Sequence, residues 1–391
     1  MTDRSPRSEL AAIKARALEA ARARGAVAVR ISAAAPDAAT RERMRASFAR
    51  GDFETWGYDD GYARVASDPR AILDDARSVI AIAVPYATPP PARGAALRGR
   101  VSNYAWSADY HHRLRALLRE VAAEIDAAAG APVTAIACDT KPLAERAFAA
   151  RAGLGWIGKH TNLIVPGAGS YVFLGEIVTS LALEPDLPLR KSCGSCSACV
   201  SACPTGALRG DYTIDAGRCI ADLTQRTDPL PRELRPYVGT WVWGCDLCQD
   251  ACPPTRNAGA VASDAFAPFD DVVATPSLVA LLALRSGEFK RRYARTAMGW
   301  RGAAVLRRNA AIALGNALDR STVGALADAL GSDPHAMVRG AAAWALGRIG
   351  SPRARAALEA ARNGEGDRGV LEEIDAALEQ QSPAARSSQA V

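Results

Sequence analysis

The sequence predicts an α/β sheet domain, then a cysteine-rich metal segment, then an all-helical repeat array. Three observations carry this. Short Val- and Ile-rich runs alternate with helical periodicity before residue 186. Eight of the nine cysteines fall between Cys193 and Cys252. Beyond residue 265 a pattern recurs with a 32-residue period.

The first part is expected over residues 1–185. Its opening, MTDRSPRSELAAIKARALEAARARG, carries charges throughout and lacks the apolar core of a secretory signal. It reads as an amphipathic helix of a cytoplasmic protein. No stretch approaches the roughly 18 apolar residues of a bilayer span, so no membrane is expected. The runs at 78–86, 132–138, 161–166 and 170–183 read as strands, short and bounded by Gly, Pro or Asp. Residues 107–130 read as a helix that Gly130 stops. This order suggests a sheet with helices packed on it. The Pro-rich stretch 87–100 reads as a loop.

The second part is expected over 186–256. It begins Cys193-x2-Cys196-x2-Cys199-x3-Cys203-Pro204, the bacterial ferredoxin spacing for a 4Fe–4S cluster. Cys245-x2-Cys248-x3-Cys252-Pro253 is a second set with one cysteine missing, and Cys219 can supply it. In two-cluster ferredoxins the cysteine before the proline ligates the other cluster. The first cluster is therefore assigned Cys193, Cys196, Cys199 and Cys252. The second is assigned Cys203, Cys219, Cys245 and Cys248. Two zinc sites would instead use well-separated Cys-x2-Cys pairs. Two such clusters form an electron relay that bonds no substrate, so another group must receive the electrons.

The third part is expected over 265–380, with a disordered tail at 381–391. LRRNAAIALGNAL (306–318) recurs as VRGAAAWALGRIG (338–350), aligning Arg307 with Arg339 and Gly315 with Gly347. Two helices per period make an α-solenoid of the HEAT type. Within it, Arg285, Lys290, Arg291, Arg292, Arg295, Arg301, Arg307 and Arg308 face a single acid, Glu288. Tyr293 and Trp300 lie among them. Such a segment suits an RNA backbone and unpaired bases.

No dinucleotide fingerprint or P-loop is convincing, GLGWIG (153–158) being a weak match. Residues 137–186 (ACDTKPLAERAF through LALEPD), the cysteine block, GRCIADLTQ (217–225), WGCDLCQDACP (243–253) and RRNAAIALGN (307–316) together resemble epoxyqueuosine reductase. The resemblance covers nearly the whole chain and keeps the family's order. It implies cobalamin bound in the N-terminal α/β domain beside two 4Fe–4S clusters. It implies reduction of epoxyqueuosine to queuosine at the wobble position of tRNAs with a G-U-N anticodon. Two electrons and two protons are consumed, and the oxygen leaves as water. Asp139 matches the family's proton donor, and it is expected to stay protonated through burial near apolar groups. The resemblance further implies cobalamin contacts from Ser102, Asp139, Lys159, His160, Thr161, Leu163, Leu174, Ile220 and Asp222. The family usually carries Asn at the position of His160, and Ser-Tyr at Ala221-Asp222. An external electron donor is required, and the chain is expected to act as a monomer. The alternative is a two-cluster electron-transfer protein serving a separate enzyme. Cys138 reads as core packing. His111 and His112, adjacent on a helix, point to different faces and make no metal pair.

Overall fold

A computed structural model of the chain describes residues 6–89, 97–259, 266–269 and 271–381. The expected tail beyond Gln381 and half of the Pro-rich loop, residues 90–96, lie outside the described residues. The chain divides into two compact units. The first comprises residues 1–89, 109–217 and 246–267, the second 90–108, 218–245 and 268–391. The cysteine-rich stretch is therefore divided: 218–245 belongs to the second unit and its flanks to the first.

The first unit is built on a four-stranded sheet. Its order is Ala28–Ala33, Ser78–Pro85, Val172–Thr179, Thr134–Ala137, and every pairing is antiparallel. Ser78–Pro85 is buried along its full length, which explains its unbroken apolar run. Ala28–Ala33 is a strand that the sequence pattern does not predict. It is an edge strand, and the Asp186 carboxylate accepts its Ile31 N–H at 2.8 Å, so one outward amide is capped. Residues 161–166 do not join the sheet. Leu163–Ile164 forms a separate small hairpin with Trp156–Ile157.

Helices cover both faces of this sheet. Tyr110–Ala129 starts at the N-cap Asp109 and ends at Gly130, where φ is +71°, the left-handed stop that the sequence predicts. It buries Leu114, Leu118, Val121 and Ile125. The short helix Glu145–Arg151 packs Phe148 and Ala149 on the opposite face, against Val79, Ala81, Ala83 and Val178.

In the second unit, Ala303–Ala317, Val323–Ser332, Ala336–Ile349, Pro352–Arg362 and Arg368–Gln380 form the repeat array. The repeated residues have repeated jobs. Arg307 Nε donates to Asp333 at 2.6 Å, and Arg339 Nε donates to Glu365 at 2.7 Å. A Cβ on Gly315 would stand 2.8 Å from Ala345 Cα, and one on Gly347 would stand 2.9 Å from Ala377 Cα. Only glycine permits helices this close. Among the described residues no helix is long and apolar enough to cross a membrane.

Candidate active site

Asp139 follows the Thr134–Ala137 strand and has φ +51°, a left-handed conformation that costs most L-residues about 1–2 kcal/mol. The Thr140 amide donates to the Cys138 carbonyl at 2.5 Å, closing a tight three-residue turn centred on Asp139. The Asp139 amide donates to Glu145 Oε1 at 2.5 Å. Strain of this kind clusters at functional sites.

The carboxyl is not in the state expected from the sequence. Its side chain is 58% exposed, so burial does not protonate it. A hydrogen bond from His111, at 2.8 Å to Oδ2, holds it below the usual carboxylate range, with smaller help from Tyr110 and Arg146. His111 also bonds Asp109 through Nδ1 at 2.6 Å. Both ring nitrogens thus face carboxylates, an arrangement that only the imidazolium satisfies. Burial works against that charge, but the two carboxylates outweigh it and push His111 up to about 9. Burial also raises Asp109, and His111 pulls it below its ordinary value. The mobile proton therefore sits on His111. Sequence reasoning misses this residue; its signal is the N-cap Asp two positions before it.

An aromatic wall adjoins the pair. Tyr110 stacks on His111 at 4.0 Å and on Phe173 at 4.2 Å, and Phe173 stacks on Tyr86 at 4.2 Å. Leu174 follows Phe173 on the same strand. Lys159 Nζ donates to the Gly194 carbonyl at 3.0 Å, tying its loop to the first cysteine loop. Thr161 has φ +64°, and its carbonyl accepts from Arg146 at 2.8 Å. Leu163 is buried. Burial lowers His160 to about 4, so it is neutral. Its Nδ1 accepts the Asn162 amide, and its buried Nε2 has no partner among the described residues.

None of the nine cysteines is in a disulfide. Cys193, Cys196, Cys199 and Cys252 all belong to the first unit. Burial raises the Cys199 thiol, and charges at Cys193 and Cys252 raise it further. Cys252 is likewise raised by burial first, with Cys193 and Cys196 adding to it. Cys252, distant in sequence, lies in the same unit as the other three thiols of the first set. Among the described residues no three Cys, His, Asp or Glu side chains are arranged around a single metal ion. A cubane uses a wider frame, in which each thiolate meets a different iron. Of the second set, Cys203 and Cys248 belong to the first unit and Cys219 and Cys245 to the second.

In the second unit, Ser102 is buried and its amide donates to the Trp243 carbonyl. Ile220 is buried, and Asp222 is paired with Arg226 at 2.6 Å. The basic segment needs correction. The sequence places Arg307 and Arg308 on an RNA-binding surface, but both are buried. Arg307 is spent on Asp333 and the Leu284 carbonyl. Arg308 donates to the carbonyls of Leu223, Arg226 and Asp228 and to Asn309 Oδ1. Asn309 in turn donates to the Thr224 and Val242 carbonyls. These two side chains anchor the stretches that follow Cys219 and precede Cys245. Tyr293 is also buried. Arg285, Lys290, Arg291, Arg292 and Arg295 are exposed. Exposed Trp300 carries the half-buried Arg301 guanidinium 3.6 Å from its ring centroid.

Three family models match. Epoxyqueuosine reductase QueG matches residues 67–140, a 4Fe–4S double cluster binding domain matches 192–255, and HEAT repeats match 302–379. The epoxyqueuosine reductase of Bacillus anthracis is 36% identical over 327 residues, 83% of this chain and 86% of that one. That of Lactococcus garvieae is 39% identical over 284 residues, 72% of this chain and 81% of that one. Among solved structures, a selenomethionine-labelled epoxyqueuosine reductase superposes with a TM-score of 0.91 at 32% identity, covering 95% of this chain and 100% of that chain. Another, in complex with an epoxyqueuosine-modified tRNA-Tyr stem loop, superposes with a TM-score of 0.89 at 33% identity, covering 95% and 99%. With this similarity along most of its length, the chain belongs to the epoxyqueuosine reductase family.

Proposed function

We propose that this protein reduces epoxyqueuosine to queuosine at the wobble position of tRNA, consuming two electrons and two protons and releasing the epoxide oxygen as water. The observation that carries the reading is His111 held between the Asp109 and Asp139 carboxyls, with Asp139 on a strained turn. An epoxide oxygen leaves only when protonated as its carbon bond breaks. In this reading the proton moves from His111 Nε2 through Asp139 Oδ2 to that oxygen, and Asp109 steadies the imidazolium. Asp139 need not be protonated at rest, because its neighbour stores the proton.

The donor sets fit the groups the family requires. Eight thiols outside any disulfide suit two 4Fe–4S clusters, assigned as Cys193, Cys196, Cys199 and Cys252, and Cys203, Cys219, Cys245 and Cys248. For cobalamin, the unmatched buried Nε2 of His160 supports a polar partner supplied by a bound group. Lys159, Thr161, Leu163 and Leu174 are assigned beside it, and the family resemblance adds Ser102, Ile220 and Asp222. When bound, cobalamin supplies the low-potential electrons that the clusters relay from an external donor. The Asp222–Arg226 pair leaves that carboxylate a weaker candidate than the rest.

The exposed cations Lys290, Arg291, Arg292 and Arg295, with Trp300 and Arg301, are assigned to the tRNA backbone and loop. The tRNA carries a G-U-N anticodon, and the protein is placed in the cytoplasm as a monomer. The test is mass spectrometry of epoxyqueuosine-containing tRNA after incubation with protein, cobalamin and reductant. Loss of one oxygen mass is expected. Asp139→Ala should abolish it with iron and corrinoid content intact; full activity in that variant overturns the assignment.

A further inference from the structure

An open cleft of about 490 Å3 adjoins the turn at Asp139, and three cations line it with no acid among them. Arg115, Arg119 and Ala122 come from one face of the helix Tyr110–Ala129, at the i, i+4 and i+7 spacing that aligns side chains. Thr134, Ile136 and Cys138 alternate along the strand Thr134–Ala137 and just past its end, so they share one face of the sheet's edge strand. Thr140 and Lys141 close the cleft from the turn itself. All of these residues belong to the first unit. Arg115 Nη2 donates to Thr140 Oγ1 at 2.7 Å and so joins the helix to the turn, and that hydroxyl donates on to the Cys138 carbonyl at 3.2 Å. Arg119 and Lys141 are exposed, and neither side chain has an ion pair or hydrogen bond among the described residues. Glu120 and Glu124 of the same helix are engaged elsewhere: each accepts from Arg24 at 2.8 Å.

We propose that this cleft grips one backbone phosphate of the tRNA, close to the nucleotide being reduced. A guanidinium fork and an ammonium suit phosphate oxygens. Arg115 is held in place by its bond to Thr140, while Arg119 and Lys141 bring charge that nothing in the protein balances. Lys141 stands two residues beyond Asp139, a span of at most about 7 Å from backbone to backbone. A phosphate held there fixes the RNA backbone beside the acid turn, so the neighbouring base is kept in reach of Asp139. Such a contact sets register and orientation and reads no base identity. The inference deepens the reading of tRNA as the substrate and rests on it.

Binding of a synthetic anticodon stem loop RNA to the cluster-loaded full-length protein tests it. Arg119→Ala combined with Lys141→Ala should raise the Kd about tenfold or more at low salt, as loss of charge-assisted contacts implies. The slope of log affinity against log salt should fall by about one, the share of a single phosphate. Iron and corrinoid content should stay at the wild-type level. A neutral methylphosphonate placed at each loop linkage in turn then locates the contact. At one linkage it should weaken binding to wild type and leave the double variant no weaker, the mark of two changes that remove the same interaction. An unchanged Kd overturns the grip, as do losses that multiply at every linkage. Loss of corrinoid with RNA affinity intact assigns the cleft to the cofactor and overturns it too. If wild type removes the epoxide oxygen and the double variant binds RNA equally well, the grip alone fails. If wild type removes no oxygen while the double variant loses RNA affinity, the reading of the reaction fails and the grip stands.

Discussion

Replacing His111 with Gln removes the one cation wedged between Asp109 and Asp139. Gln can still bond both neighbours, but it carries no charge. The imidazole is only 22% exposed, so water screens the pair incompletely. Raising it from 6.5 to about 9 corresponds to roughly 3 kcal/mol of preference for the charged form. A raised histidine stabilises the fold fully below its unfolded value of about 6.5, and that stabilisation is lost as pH climbs through about 9. Wild type should therefore exceed His111→Gln in stability by roughly 3 kcal/mol more at pH 6 than at pH 10. Denaturant unfolding of both proteins across that range gives the difference. The chain has four histidines, so selective labelling gives four ring signals in a nuclear magnetic resonance titration. The signal lost in His111→Gln should titrate near 9, and His160 should stay neutral down to about 4. Oxygen removal should fall along the same alkaline limb. A His111 signal titrating at 6.5, or a stability difference flat with pH, refutes the stored proton.

Lys290→Ala with Arg291→Ala should weaken tRNA binding and reduce the slope of log affinity against log salt by about two. An unchanged slope removes this face from the interface. Arg308→Ala should act on stability instead, lowering it by about 3 kcal/mol or more in denaturant unfolding, because it strands three backbone carbonyls. Cys252→Ser should lose the first cluster while Cys245 and Cys248 keep their role, so iron analysis should fall to about half of the wild-type content. Retention of full iron contradicts the exchange of ligands between motifs.

What the sequence disclosed was chemistry that depends on residue type and local spacing. Thiolates at x2 and x3 spacing mean iron and sulfur because the metal dictates them. The Arg307/Arg339 and Gly315/Gly347 matches were legible because one packing problem recurs each period: a buried ion pair and a helix crossing too close for any Cβ. What stayed hidden depends on residues that meet only after folding. Counting charges along 285–308 could not show that Arg308 turns inward to carbonyls some 80 positions away. His111 and Asp139 are 28 positions apart, and nothing local marks them as partners. The strand Ala28–Ala33 is short, edge-placed and alanine-rich, so its pattern is weak.

Three carboxyls surround the turn at Asp139, and their environments divide the work. Asp139 is exposed and faces a cation, so it ionises. Glu176 is enclosed by a sheet with no donor, so it keeps a proton. Glu145 Oε1 accepts the Asp139 amide. A fold that merely needed to fill the space at Glu176 would do better with an apolar residue, since an unpartnered buried charge costs several kcal/mol. Burial holds Glu176 well above the usual carboxylate range, while Glu145 Oε1 accepts the Asp139 amide, so replacing Glu145 with Ala would remove that acceptor and free the strained turn to relax.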